Sequence, residues 1–545
     1  MNAESIYQKI ELLLNRAEAL KKKSLADISG ELSEEEDWKL ISDITGYVEV
    51  LCQQQTLFNG IQQIKSVEAS LQNIQQLSAE ENDKAYKKIQ YELVPLIENM
   101  RMDFYYYVWV YPDKNKIEAY FQNERKELYR NPYAEEAQRT GKYKYDLSIV
   151  VLGYNKLEYT KVCVGYLLKV IPKNISYELI LMNHGSSDGT KEYFEEINPD
   201  KQIDIAVNGG GVDILDRIVE GHYVLKVSND VVVTEHAIEN MYRCITSDPS
   251  IAWVVAATPN ISNQQDINGE YDDLDGMFEF AKRNNVSDER RWEQKIRICN
   301  PIDIYEIQKK LSTICGKIPA QANGCFIDDK VSMLFRRAGY KMFLAKDAYC
   351  YHFGSVTLQD EIQNGTKEEA LYYTKGRIQC LKDYGLDPWG YGYVYDYKLF
   401  CALEIKKQGR INILGINPGL CANIVKLRDK FKEVLGNKDV WMTGFIQDSF
   451  NEPDLRSFAD EVFFCKDWSL FDQRPEKLYD YILIEQGLEE EEHTEIIEKI
   501  YQWKKPDGII LLRSKKEMAL EELQSKYPLR RIESHHEKYS WVEIQ

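Results

Sequence analysis

The chain has 545 residues, 44% of them hydrophobic and 12% aromatic, and a formal net charge of -19. Such a length implies about three domains, on a prior of roughly 100 to 200 residues each, and the apolar fraction excludes a disordered chain. The acidic balance excludes wrapping nucleic acid or coating an anionic membrane as the main activity, so any phosphate must be held by a local site.

The 11 cysteines are scattered singly, without a CxxC pair. That usage fits reduced thiols in a cytoplasmic protein better than a disulfide frame, and it suggests no zinc site. The amino terminus has acidic residues at its start and lacks the basic flank and continuous apolar core of a signal peptide. No uninterrupted apolar run is long enough to span a bilayer, so no transmembrane segment is expected.

In chain order, apolar residues first recur at helical spacing. Ile6, Ile10, Leu13, Ala17 and Leu20 form one stripe, Trp38, Ile41, Ile44, Val48 and Leu51 a second, and Ile64, Val67, Leu71, Ile74 and Leu77 a third. A fourth includes Tyr86, Ile89, Leu93 and Met100. The pattern breaks every few turns, which predicts a helical bundle over 1–142 rather than a coiled coil. Near Tyr145 the texture changes to apolar strands followed by polar or glycine-containing turns, with helical segments between them. This predicts a mostly parallel sheet in an α/β domain over 143–392. Ile251 to Ala257 reads as a buried strand, and Asn260 to about Arg291 as a surface excursion. A helix is expected from near Asp328 to a C-cap at Gly339, with a strand over Tyr340 to Leu344. From 393 to 545, RINILGINPG, DVWMTGFI, EVFFC, YDYILIEQ and GIILLR are five strand candidates of a separate Rossmann-like domain, with a turn at Pro506-Asp507-Gly508 before the last.

Within the central region the stretch VLKVSNDVVVT, Val224 to Thr234, carries a carboxylate, Asp230, at the end of an apolar strand. That is where an open α/β sheet presents chemistry, although the tripeptide Ser228-Asn229-Asp230 alone could be a polar turn. With SIVVLGYNK, YELILMNHGSSDGT and FIDDKVSMLFRRAGYKMFLAKDAYCYHFGSVT it forms four motifs in order. Together they resemble family 2 nucleotide-sugar glycosyltransferases of the GT-A fold.

The resemblance implies an inverting glycosyltransferase that takes a nucleotide-sugar donor, a UDP-sugar on the family pattern, to a hydroxyl acceptor. It implies Asp230 as ligand of a divalent ion, Mn2+ or Mg2+. Ser228 and Asn229 replace the first acidic residue of the commoner Asp-x-Asp form, which shifts part of the coordination to a distant residue. His352 is the candidate, so these two side chains should converge on one point. Tyr154, Asn155, Asn183 and Asp188 would lie along the nucleotide, with Asn183 where the family has an aspartate facing uracil and His184 where it has asparagine. Asp328 or Asp329 would be the general base, and as carboxylates at a helix start they would be weak bases acting through position. Lys375 and Arg377 would close over the diphosphate. The region 393–545 resembles class I methyltransferases more loosely, through ILGINPG and WKKPDGIILLR; without the fuller glycine pattern it is expected to be structural, with no S-adenosylmethionine, and Glu485 is the residue to watch. The acceptor would be a protein such as flagellin, or alternatively a polysaccharide or lipid-linked glycan. A non-catalytic scaffold is the competing reading.

Overall fold

The computed structural model describes residues 3–26, 131–205, 218–314, 326–354, 391–447 and, with short gaps, 452–545, together with isolated positions elsewhere. The first predicted stripe is a helix, α1 (Ala3–Ala26), that buries Ile6, Ile10, Leu13 and Ala17. Val67, Leu71 and Ile74 of the third stripe are buried as well. The second stripe, and with it most of the expected bundle, lies outside the described residues. Among the described residues no helix is long and apolar enough to cross a membrane.

A short helix, α2 (Pro132–Thr140), leads into the central α/β region. Its first half is β1 (Tyr145–Gly153), α3 (Leu157–Val170), β2 (Tyr177–Asn183), α4 (Thr190–Ile197), β3 (Lys201–Asp204), β4 (Gly221–Ser228), β5 (Val231–Val232), α5 (Ala237–Thr246) and β6 (Ile251–Ala257). The second half is α6 (Leu274–Asn284), β7 (Trp292–Gln294), β8 (Ile302–Glu306), α7 (Ile307–Ile314), α8 (Ile327–Arg337), β9 (Lys341–Tyr349) and β10 (Tyr351–His352). Eight strands form one sheet in the order β3-β2-β1-β4-β8-β6-β9-β7, and β5 pairs with β10 in a separate ribbon. The central strands read as continuous apolar runs because helices cover both faces. On one side α3 buries Thr160, Cys163, Val164 and Leu167, a helical stripe, and α5 buries Ile238, Met241 and Ile245.

The sheet is less parallel than expected. β3, β2, β1 and β4 run parallel, but β8 is antiparallel to both β4 and β6, and β7 is antiparallel to β9. β8 is reached after the 260–291 excursion and not through a crossover helix, so the chain enters the sheet from the opposite end. The excursion itself is anchored. Met277 and Ala281 of α6 are buried against Tyr349 and Val232. α8 ends as predicted, with Gly339 at φ +84° and the Tyr340 N–H donating to Phe335 O at 3.0 Å.

The carboxyl-terminal region comprises α9 (Tyr397–Ala402), β11 (Ile411–Ile416), α10 (Ala422–Leu435), β12 (Val440–Ile446), α11 (Glu452–Arg456), β13 (Glu461–Phe464), β14 (Tyr479–Ile484), α12 (His493–Tyr501), β15 (Lys504–Lys515), α13 (Glu521–Lys526), β16 (Leu529–Glu533) and β17 (Tyr539–Ile544). Its sheet has seven strands, not five, in the order β13-β12-β11-β14-β15-β17-β16. The two extra strands form an antiparallel hairpin whose outer member, with three charged residues in LRRIE, masks any apolar alternation. Pro506-Asp507-Gly508 lies inside β15, at a register shift against β14, and not in a turn before it.

Buried charge joins the two sheets' layers. Arg336 and Arg337 at the end of α8 each take one oxygen of the fully buried Asp454 carboxylate, at 2.7 and 2.9 Å. Glu293 on β7 meets Lys346 at 2.6 Å and Lys426 of α10 at 2.6 Å. Removing one partner of such a pair strands the other in a low-dielectric site. Asp454→Ala should therefore cost about 3 kcal/mol or more of unfolding free energy, read as a lower urea midpoint, whereas Glu452→Ala, which removes only a surface pair with Arg456, should change it by under about 1 kcal/mol.

Candidate functional site

The carboxyl ends of β1, β2 and β4 open into a cleft of about 390 Å³. It is lined by Tyr154, His184, Ser228, Asn229, Asp230 and Ile261, and by Cys299, Asn300, Pro301, Asp328 and His352 from later in the chain. Its size suits a small-molecule ligand, and its place at strand ends is where open α/β sheets bind one.

Asp230 and His352 are brought together by backbone pairing. β5 follows Asp230 directly, and its antiparallel register with β10 sets His352 opposite Val231. The Phe353 N–H donates to Asp230 O at 3.0 Å, extending the ladder by one step. The result is His352 Nε2 at 3.4 Å from Asp230 Oδ2, with both side chains largely buried. Asn285, just past α6, braces this ribbon: its Nδ2 donates to Thr234 Oγ1 at 2.9 Å and its Oδ1 accepts from Tyr349 N at 2.7 Å. A carboxylate and an imidazole at this spacing fit two donors to a divalent transition ion. Among the described residues no group of three His, Cys, Asp or Glu side chains gathers into a full cage, which suits an ion completed by substrate phosphates.

The residues of the first turns divide into two groups. Tyr154, Ser228 and Asn229 face the cleft. Asn155, Asn183 and Asp188 instead bind the turns to one another. Asn155 Oδ1 accepts from Ser187 N at 2.9 Å, and Asn183 Oδ1 accepts from Ser186 N at 3.0 Å while its Nδ2 donates to Asp204 Oδ1 at 2.9 Å. Burial works to raise the Asp188 carboxyl, but the Thr190 hydroxyl and the N–H groups of Leu157 and Thr190 outweigh it and hold the group below its ordinary range. Asn229 does both, since its Nδ2 also donates to Asn155 O at 3.0 Å and Thr160 Oγ1 at 2.9 Å. His184, 8% exposed, reaches the cleft wall, and burial pushes its pKa down to about 4, so it faces a ligand as a neutral ring.

The two aspartates at the start of α8 separate. Asp328 lines the cleft, whereas Asp329 turns inward to Arg297, Nη1 to Oδ1 3.1 Å. Both depart from the weak-base expectation. Burial, opposed by Lys226 and reinforced by Asp329 and Asp303, pushes Asp328 up to about 7. Burial also lifts Asp329 to about 6, against Arg297 and Arg336. The helix-start argument fails because desolvation exceeds the macrodipole and no capping bond is made: the N-cap is Phe326, in a left-handed conformation. Lys375 lies outside the described residues, and Arg377, a half-buried helical position, is not among the described lining residues.

Ile261, Cys299, Asn300 and Pro301 line the cleft without having been singled out. Asn-Pro immediately before the IDIYE strand was the available signal, as a turn that delivers a polar side chain to a strand end.

The glycine turn of the carboxyl-terminal domain is covered by the protein's own chain. The chain just before the domain lies on it: the Ala422 N–H donates to Gly392 O at 3.1 Å, and a Cβ on Gly392 would sit 2.3 Å from Leu420 N. Glu485, at the end of β14, is buried and accepts from the Tyr391 hydroxyl and, at 2.6 Å, from Asn423 Nδ2. Burial pushes it up to about 7 against those bonds. Both bonds fall on Oε2, which the protein's own chain thus occupies.

No family model and no curated protein matches this sequence. Solved structures similar to part of it include GalNAc-T7 with UDP, GalNAc and Mn2+, at 12% identity over 38% of this chain and 44% of that one, TM-score 0.31. A mannosyltransferase, PcManGT from Pyrobaculum calidifontis in complex with GDP-Man and Mn2+, is similar at 15% identity over 43% and 66%, TM-score 0.29. S. aureus TarS follows at 18% identity over 41% of each chain, TM-score 0.28. The chain spans less than two thirds of each of these structures.

A pH dependence follows from Asp328. The unfolded chain releases this proton near 3.8 and the folded protein holds it to about 7. The associated stability is complete below the unfolded value and is lost as pH rises through the folded one. Asp328→Asn should therefore melt at a higher temperature than wild type at pH 8, with the gap shrinking towards pH 4 in a calorimetric series.

Proposed function

We propose that this chain is a metal-dependent glycosyltransferase that moves a sugar from a nucleotide-sugar donor, a UDP-sugar, to a hydroxyl of a protein or glycan acceptor with inversion. The observation that carries the reading is the meeting of Asp230 and His352, 3.4 Å apart, in a cleft that Asp328 also lines. Breaking a glycosidic bond to a diphosphate builds oxocarbenium character on the sugar and negative charge on the departing phosphates. Asp230 and His352 would hold the Mn2+ or Mg2+ ion that offsets this charge. Tyr154 and the neutral His184 would flank the nucleotide.

Asp328 supplies the remaining requirement. Its carboxylate accepts the proton of the attacking hydroxyl, and a carboxyl poised near neutrality does this better than an ordinary one. With the diphosphate held at Asp230 and His352 and the acceptor proton taken by Asp328, a single displacement from the face opposite the leaving group would invert the anomeric centre. Asp329, committed to Arg297, holds the start of α8 in place. The carboxyl-terminal domain, with its crevice filled by Tyr391, braces the far end of the same helix, and the cytoplasm is the proposed location.

Asp230→Ala should abolish Mn2+-dependent UDP binding in titration calorimetry, and Asp328→Ala should retain UDP affinity within about threefold while losing at least 100-fold in transfer rate. Equal loss of nucleotide binding in both variants would reject this division of roles, and wild-type protein that binds no nucleotide with Mn2+ would reject the function.

A further inference from the structure

Asn300 touches both a lysine and the proposed base. Its amide lies between Lys226 Nζ, 2.6 Å from the Asn300 oxygen, and the Asp328 carboxylate, whose two oxygens are each 2.8 Å from the Asn300 nitrogen. Lys226 fixes this orientation. An ammonium is donor only, so the amide oxygen must face it, and the NH2 group is then left facing Asp328. Because an amide NH2 only donates, it supports the acceptor form of that carboxyl. Lys226 is itself anchored at 3.3 Å from Asp303 Oδ1 on β8.

The backbone around Asn300 is held from both sides. Gln265 clamps Cys299, accepting from its N–H at 2.8 Å and donating to its carbonyl at 2.7 Å. On the other side Pro301 O accepts from Ser228 N at 2.9 Å, tying the segment to the end of β4 two residues before Asp230. A side chain mounted on so constrained a segment holds its partner in one plane, which is the condition for an efficient positioned base.

We propose that Asn300, backed by Lys226, is a positioning residue that holds Asp328 deprotonated and oriented towards the acceptor hydroxyl. The inference rests on Asp328 acting as the base. Lys226 from β4, Asp303 from β8, Asp329 from α8 and Cys299 from the neighbouring segment face Asp328, and Asp230 and His352 share its cleft. Of these only Lys226 is a cation, and Asn300 is its route to the carboxylate.

The test compares wild type, Asn300→Ala and Asn300→Ser, the last keeping a smaller donor. Steady-state kinetics should show kcat reduced about 100-fold in Asn300→Ala, with donor KM unchanged and the acidic limb of the pH profile moved to higher pH; Asn300→Ser should fall between. In parallel, the Asp328 carboxyl carbon, identified by its loss in Asp328→Asn, is titrated by 13C NMR in each protein without substrate. A midpoint higher in Asn300→Ala than in wild type supports the proposal. An unmoved midpoint, or a kcat loss matched by equal loss of donor affinity, overturns it. If wild type turns over no donor the glycosyltransferase reading falls, while the titration still decides whether Asn300 controls this carboxyl.

Discussion

The site depends on one short piece of backbone pairing, the antiparallel ribbon of Val231–Val232 with Tyr351–His352. Two strands of two residues each would not pair alone in water. They hold here because Val232 is buried beneath α6, and because Asn285 bonds both Thr234 and the backbone at Tyr349, two residues before the second strand. The 260–291 region, polar enough to read as a loose excursion, supplies that support. Two side chains from distant parts of the chain, Asp230 and His352, are thereby brought to 3.4 Å of one another.

A second constraint sets the state of Asp328. Asp328 is at a helix start, where a carboxylate is ordinarily favoured, yet burial dominates and lifts it towards neutrality. Nearby Asp303 and Asp329 add to the same effect, and Lys226 opposes it. A half-buried carboxyl with its pKa raised in this way weakens the fold as pH rises to neutrality. The Arg336 and Arg337 clamp on Asp454 holds the other end of the same helix. In this arrangement the carboxyl-terminal domain is tied to the helix that carries Asp328.

Much of this was legible in the sequence where local pattern and global packing agree. The run Ile251–Ala257 and the stop at Gly339 follow from apolar continuity and from glycine's access to positive φ. The closeness of Asp230 and His352 could be read only by analogy of motifs, since no periodicity relates residues so far apart. What stayed hidden has physical reasons. Asn155, Asn183 and Asp188 read from the sequence only as nucleotide contacts, whereas in the fold they also brace the turns: Asn155 and Asp188 join the first turn to the second, and Asn183 bonds within its own turn. Desolvation of Asp328 is a property of depth, which a linear pattern does not encode. Asn300 neither titrates nor repeats, and β16 carries its charge on so many positions that strand alternation vanishes.

The central claim is that Asp230 and His352 jointly hold a divalent ion on a nucleotide diphosphate. Electron spin echo envelope modulation of the protein with Mn2+ and UDP measures it most directly, because a coordinated imidazole nitrogen modulates the Mn2+ echo. The account predicts a nitrogen modulation of imidazole type in wild type that disappears in His352→Ala. An echo without that modulation in wild type, or one that persists unchanged in His352→Ala, would contradict it.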